Sequence, residues 1–244
     1  MFNTATVTAQ SKSSGAPRQD FGPCEAGMDA GRIVRVVGFG VQEQANRFDP
    51  NKEPATVIQV TVELPNQRIT VTDKDGNETD RPRWIWTDDI AIKLYQDYST
   101  KQIVTSDKSK LHKLLSAAFP QHTGAWTADE IKESIPKLVG QQVGVFITHS
   151  KSKTNGKVYA NLKEFSPVMR GMVVPALENE TLYYNPYEHD DAVFQQLPER
   201  TRERIAGRLD GSAPQQQAPQ QSAPAPQPEP VLADDFDDEG DLPF

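Results

Sequence analysis

The 244-residue chain carries 26 Lys and Arg against 34 Asp and Glu, a formal net charge of -8, but seven of those acids and no base fall from Gly211 onward. Residues 1–210 are therefore near neutral, at -1, and the acidic total does not describe the body of the chain. A single cysteine, Cys24, argues against a disulfide framework, no apolar run approaches the roughly 18 residues of a membrane span, and the first residues lack the basic-then-apolar order of a secretory signal; the reading is a cytoplasmic protein.

Residues 1–28 are rich in Ser, Thr, Ala and Gly without periodicity and read as a flexible N-terminal arm. The first strand signal is GRIVRVVGFGVQ, Gly31 to Gln42, dense in β-branched residues and broken by glycines that let a strand bend. In ATVIQVTVEL, Ile58, Val60, Val62 and Leu64 alternate with Gln59, Thr61 and Glu63, the pattern of a half-buried strand. A polar excursion from Pro65 to Arg83 follows, with DKDGN as its turn. RWIWTDDIAIKLY then reads as a third strand, with Ile90, Ile92 and Leu94 on one face and Lys93 and Tyr95 on the other.

The period next becomes helical. SDKSKLHKLLSAAF begins with a capping Ser106 or Asp107 and spaces Leu111, Leu114, Leu115 and Ala118 along one face. TADEIKESIPKLVG opens on Thr127 and Glu130, the spacing of a capping box, with Pro136 limiting the helix. Two strands, QQVGVFITHS and KVYANLKEF, are joined by KSKTNG, whose Asn155-Gly156 is a hairpin signal. Residues 29–175 thus form one domain ordered β-β-β-α-β-β. Residues 176–210 read as a helical extension interrupted near Pro198. Residues 211–230 are a Gln/Pro-rich linker, and residues 231–244, VLADDFDDEGDLPF, are an acidic tip with an apolar end.

Five strands with helices between the third and fourth is the order of an OB-fold, a five-stranded Greek-key barrel. The ending DDFDDEGDLPF is similar to the acidic tip of bacterial single-stranded DNA-binding proteins. The segments AGRIVRVVGFGVQEQ, VIQVTVELP, DKSKLHKLL, KLVGQQVGVFITHSKSKTNGKVYANLKEFSPV and FQQLPERTRERI resemble, in that order over roughly residues 27–210, a family of bacteriophage OB-fold single-stranded DNA-binding proteins. The resemblance implies a viral protein of DNA replication, recombination and repair in the cytoplasm of a bacterial host. It would coat single-stranded DNA without strong sequence preference and recruit polymerase, primase, helicase or nuclease through a disordered acidic tail, as a monomer or weak homodimer.

Single strands are held by cations along the phosphates and aromatic faces under the bases. The polar face of the last strand offers Lys157, Tyr159 and Lys163, and the third strand offers Lys93 and Tyr95. The hairpin KSKTNGK adds Lys151 and Lys153. Trp84 and Trp86 share a strand face that suits stacking, yet they also share parity with Ile90 and Ile92 unless TDD introduces a bulge, so stacking and core remain alternatives. Phe39 and Phe146 are further stacking candidates, and Arg35, with Arg32, Arg81 and Arg83, completes the cationic set. In the tip, Asp237, Asp238, Glu239 and Asp241 would steer toward a basic pocket, and Leu242, Pro243 and Phe244 would plug it.

An enzyme reading finds no catalytic set. The histidines at 112, 122, 149 and 189 make no metal-ligand spacing, SKTNGK lacks the P-loop spacing, and no cofactor motif is legible. The competing class is a protein-interaction adaptor, an OB-type barrel whose acidic tail mimics DNA or competes for the docking pockets that such tails use.

Overall fold

The computed structural model describes residues 21–45, 49–72 and 75–211. β1 (Gly27–Gln42) and β2 (Ala55–Thr72) pair antiparallel, and β3 (Glu78–Trp86) returns along β2. Ile58, Val60, Val62 and Leu64 enter one core, so the β2 alternation is realised as packing. The polar excursion is no loop: β2 runs through it to Thr72, and Arg68 to Thr72 pair with Pro82 to Glu78 as a protruding ribbon. A register shift between Leu64 and Arg68 marks where β2 leaves the core, and beyond it exposure alternates with no residue buried. That is why polar residues suffice there.

The third expected strand is three. β3 ends at Trp86, β4 (Ile90–Ile92) pairs with β2, and β5 (Leu94–Gln96) forms a separate ribbon with β6 (Ile103–Thr105). Thr61 faces Trp86 and Ile58 faces Ile90, so β2 advances three residues while its partner advances four. The extra residue is a bulge at TDD. Thr87 fixes it, donating from its amide to the Val60 carbonyl at 2.9 Å and accepting from the Val60 amide at 3.1 Å. Leu94, expected in the core beside Ile90, is instead 40% exposed, because β5 has left the sheet.

α1 (Lys110–Ala118) and α2 (Ala128–Lys137) follow. The cap of α1 is Ser109, not Ser106 or Asp107: its hydroxyl accepts from the His112 amide at 3.0 Å. Leu111, Leu114 and Leu115 are fully buried, each stabilising by about 1.5–3 kcal/mol. Thr127 and Glu130 form the reciprocal capping box of α2. β7 (Gln142–Lys151) pairs with β1 and, through a hairpin turning at Gly156 (φ 68), with β8 (Val158–Ser166). β9 (Leu182–Tyr184) lies parallel to β1 at Arg35 to Val37. α3 (Asp191–Gln196) and α4 (Glu199–Ala206) end the described chain, with Pro198 between them.

The main sheet has the order β3-β2-β1-β7-β8, with β4 and β9 attached to β2 and β1. Its end strands β3 and β8 come into contact without ladder pairing. The sheet is therefore open, mainly antiparallel and seven-stranded, where the sequence suggests a five-stranded barrel. One core joins the strands to α1 and α2. A second, built from Val37, Phe39, Val57, Leu182, Tyr184, Leu197 and Ile205, seats β9, α3 and α4 on the opposite face.

The chain from Val174 to Asn179 crosses the remaining polar face. Arg32 holds the carbonyls of Pro175, Gly140 and Val174 at 2.6, 3.0 and 3.1 Å. Glu63, which alternation places toward solvent, is 1% exposed and accepts from the amides of Glu178 and Asn179 and from the Asn179 side chain at 2.9, 3.3 and 2.6 Å. Among the described residues no helix is long and apolar enough to cross a membrane.

Candidate nucleic-acid interface

Where β3 and β8 meet without pairing, a cleft of about 570 Å³ opens between them. On β3, Ile85 is 3% exposed and faces the core, which turns Trp84 and Trp86 together to the other face. The bulge at TDD resolves the parity conflict, letting Ile90 be buried four residues on. Trp86 is 64% exposed, whereas Trp84 is half-buried beneath Arg35, whose guanidinium lies 4.5 Å from the ring centroid.

β8 contributes the opposite wall. Lys157, Val158, Tyr159 and Ala160 line the cleft, and Tyr159 is 47% exposed, its hydroxyl accepting from the Asn155 side chain at 3.1 Å. The reason is local: Leu162 and Phe165 anchor β8 in the core, and the hairpin end beyond them projects past it. Lys151 lies opposite Val158 in the ladder, Lys153 is exposed in the hairpin itself, and together with Lys157 they concentrate positive charge at this end of the cleft.

Other candidates lie elsewhere. Phe39 is 2% exposed in the second core, its ring under the Arg204 guanidinium at 4.2 Å, so its faces are closed to a nucleobase. Phe146, 38% exposed, faces Met28 and Glu164 in the ladders and does not line the cleft. Lys93 follows β4, and Tyr95 sits on the β5–β6 ribbon. Lys163 is exposed further along β8. Arg32 is engaged by carbonyls, as described.

Two contributors are not legible from residue patterns. Lys110, at the start of α1, reaches the Leu162 carbonyl at 3.5 Å. Burial pushes its pKa down, with Lys163 acting in the same direction and Asp88 and Asp89 against it. It extends the cationic edge of β8 toward Lys163, and only the packing of α1 on β8 reveals it. The second is the segment Phe21 to Cys24, which borders the cleft although its surroundings in the sequence read as a loose arm. Its signal is an aromatic, a proline and the sole cysteine directly ahead of a strand.

At the opposite end of the cleft Trp86 also borders a depression of mixed charge, with Glu43, Asp88 and Asp89 against Lys52. Arg204 forms a bidentate pair with Asp89 there. Among the described residues no group of three or more His, Cys, Asp or Glu side chains is placed to hold a metal ion. The acidic tip, Asp237 to Phe244, lies outside the described residues. No protein-family model matches the chain, and no curated protein matches it.

Proposed function

We propose that this protein binds single-stranded DNA along the β3–β8 cleft and belongs to the machinery of bacteriophage DNA replication and recombination. The observation that carries the reading is the pair of exposed rings on facing strands, Trp86 and Tyr159, over one cleft that Lys157 also lines. A base stacked on such a ring contributes about 1–3 kcal/mol, independent of sequence. The unstacked bases of a single strand, unlike those of a duplex, can reach rings on either side of the unpaired seam. An OB-type architecture is supported by the strand path: three antiparallel neighbours, then a long connection carrying β4 to β6, α1 and α2 to a further strand, β7, beside the first, a Greek-key order.

On this reading the protein coats the single strand with little base preference and strong salt dependence. The acidic tip recruits replication proteins such as a polymerase, primase, helicase or nuclease: its carboxylates steer toward a basic pocket, and Leu242 to Phe244 supply a small apolar plug. The host cytoplasm is where such a protein works.

The test is intrinsic tryptophan fluorescence during titration with oligo(dT), beside a duplex of equal length, at low and moderate salt. The expected result is quenching by the single strand, much weaker duplex binding and affinity that falls with salt. A flat signal together with flat anisotropy of a labelled oligonucleotide overturns the reading and leaves the adaptor in its place.

A further inference from the structure

An unpaired seam between two strands exposes backbone groups that need partners. Here the seam is bordered by the chain's own residues just ahead of β1. On the β3 side the Arg83 guanidinium donates to three successive main-chain carbonyls, those of Phe21, Gly22 and Pro23. On the β7 side His149 Nε2 donates to the Cys24 carbonyl at 2.7 Å. The next residue is tied as well, the Glu25 amide donating to the Gln67 side chain at 2.8 Å. The Cys24 side chain is 8% exposed and belongs to the main core. Four consecutive carbonyls are thus gripped, three from β3 and one from β7, the strand paired with β8.

This arrangement assigns Arg83 a use that differs from its first appearance. A cation beside a nucleic-acid cleft invites a phosphate, but three of the five N–H donors of this guanidinium are already directed at carbonyls, and the group also lies beside the Cys24 thiol. A planar fork with five N–H donors can serve three acceptors at once, which an ammonium on a flexible stem does poorly. Phe21, Gly22, Pro23 and Cys24 in turn line the cleft with Trp84, Trp86 and Tyr159.

We infer that Phe21–Glu25 is a strap forming one wall of the single-strand cleft, and that Arg83 and His149 are positioning residues that hold it, Arg83 gripping backbone and not DNA phosphate. The inference rests on the proposed function for the identity of the ligand, though not for the strap itself. It separates the cations of the cleft into two groups. Those of the β7–β8 hairpin meet the strand, and Arg83 shapes the wall.

The experiment uses the full chain with Arg83→Lys, Arg83→Gln and His149→Ala, each checked for an unchanged far-UV spectrum and a cooperative melt. Two quantities are read: the rate at which a maleimide labels the Cys24 thiolate, taken from its high-pH plateau because Arg83 also lowers the thiol's pKa, and the affinity of oligo(dT) as a function of salt. The expected result is that all three variants label at least tenfold faster than wild type and bind oligo(dT) at least fivefold more weakly, with the salt slope unchanged. Arg83→Lys should behave as Arg83→Gln does, because it keeps the charge and loses the fork. His149→Ala reaches the same state without removing a fixed cation, and it keeps the test decisive if an Arg83 variant fails to fold.

Two results overturn the inference. In one, Cys24 stays protected while Arg83→Gln lowers the salt slope by about 0.7 and Arg83→Lys restores it, making Arg83 a phosphate ligand. In the other, labelling accelerates but affinity holds, so the strap is no wall. If wild type binds no oligo(dT), the proposed function falls and the wall falls with it, while the labelling rates still decide whether Arg83 and His149 hold the strap.

Discussion

Arg35 covers the indole of Trp84, its guanidinium 4.5 Å from the ring centroid. The two tryptophans of β3 share a strand face yet differ in what they can offer. Trp84 is half-buried under a cation, and its Nε1 is buried without a hydrogen-bond partner among the described residues. Trp86 is 64% exposed. The third, Trp126, is 3% exposed in the core with the His122 ring stacked on it at 3.6 Å, which shields it from any ligand in the cleft. Trp86→Ala should weaken oligo(dT) binding by about 1–3 kcal/mol, one stacked base, and remove most of the fluorescence change. Trp84→Phe should leave both nearly intact, and the opposite ranking would move the stacking site to Trp84.

The hairpin lysines should act through charge alone. Lys151, Lys153 and Lys157 are exposed, so replacing any of them by Ala should change stability by no more than about 0.5 kcal/mol. Each phosphate that is no longer neutralised should lower the slope of log affinity against log salt by about 0.7. Lys93→Ala, which removes an exposed lysine outside the cleft, serves as the control. Equal slopes for wild type and all three hairpin variants would place the phosphates elsewhere.

Local pattern carries much of the fold and less of the site. The alternation in VIQVTVEL, the Thr127/Glu130 box and the Asn155-Gly156 turn are short-range signals, and each corresponds to an element of the structure. Lys157 and Tyr159 follow from alternation with Val158, Ala160 and Leu162, yet only Leu162 is buried; Val158 and Ala160 line the same cleft, because the hairpin end of β8 projects past the core. Other features depend on what the rest of the chain does. Glu63 reads as a solvent-facing strand residue until a segment more than a hundred residues later brings three N–H donors to it. Phe39 reads as a free ring until β9, α3 and α4 build a second core around it. The bulge at TDD is written nowhere in residue propensities; it follows from how β3 and β4 share β2.

Close approach of β1 and β2 makes Gly31 a sensitive position. A Cβ added there would sit 2.1 Å from the Glu63 carbonyl oxygen and 2.7 Å from a Val62 methyl. The obstacle is mostly backbone, which has no rotamer to yield, and Glu63 is itself fixed by its three donors. Gly31→Ala should destabilise by about 1–3 kcal/mol or more, the range of an overpacked core, seen as a lower denaturation midpoint. Gly76→Ala, at φ 84 in an exposed turn with open space around it, tests backbone conformation without crowding and should cost about 1–2 kcal/mol. Equal midpoints for Gly31→Ala and wild type would mean that β1 and β2 separate more easily than their ladder implies.

Stability at acid pH should depend on Glu130. Its carboxylate accepts from the Thr127 amide at 2.9 Å and the Thr127 hydroxyl at 2.7 Å and faces His122 at 3.3 Å. These interactions, the Thr127 backbone bond foremost, hold its pKa below the usual carboxylate range. A depressed folded pKa contributes stability that is complete above the unfolded value, about 4.3 for Glu, and is lost as pH falls through the folded value. The side chain is 45% exposed, so solvent screening keeps the effect modest. Glu130→Gln can still reach the Thr127 amide but lacks the charge, so it should melt modestly below wild type at neutral pH. As pH falls below the unfolded value, about 4.3, and through the lower folded value, the wild-type melting temperature should fall toward that of the variant. Thr127→Ala removes the cap at every pH and should cost about 0.5–2 kcal/mol throughout. Melting curves of wild type and Glu130→Gln that run parallel from neutral pH through the acid limb would show that the carboxylate's charge contributes nothing and that the cap is held by its hydrogen bonds alone.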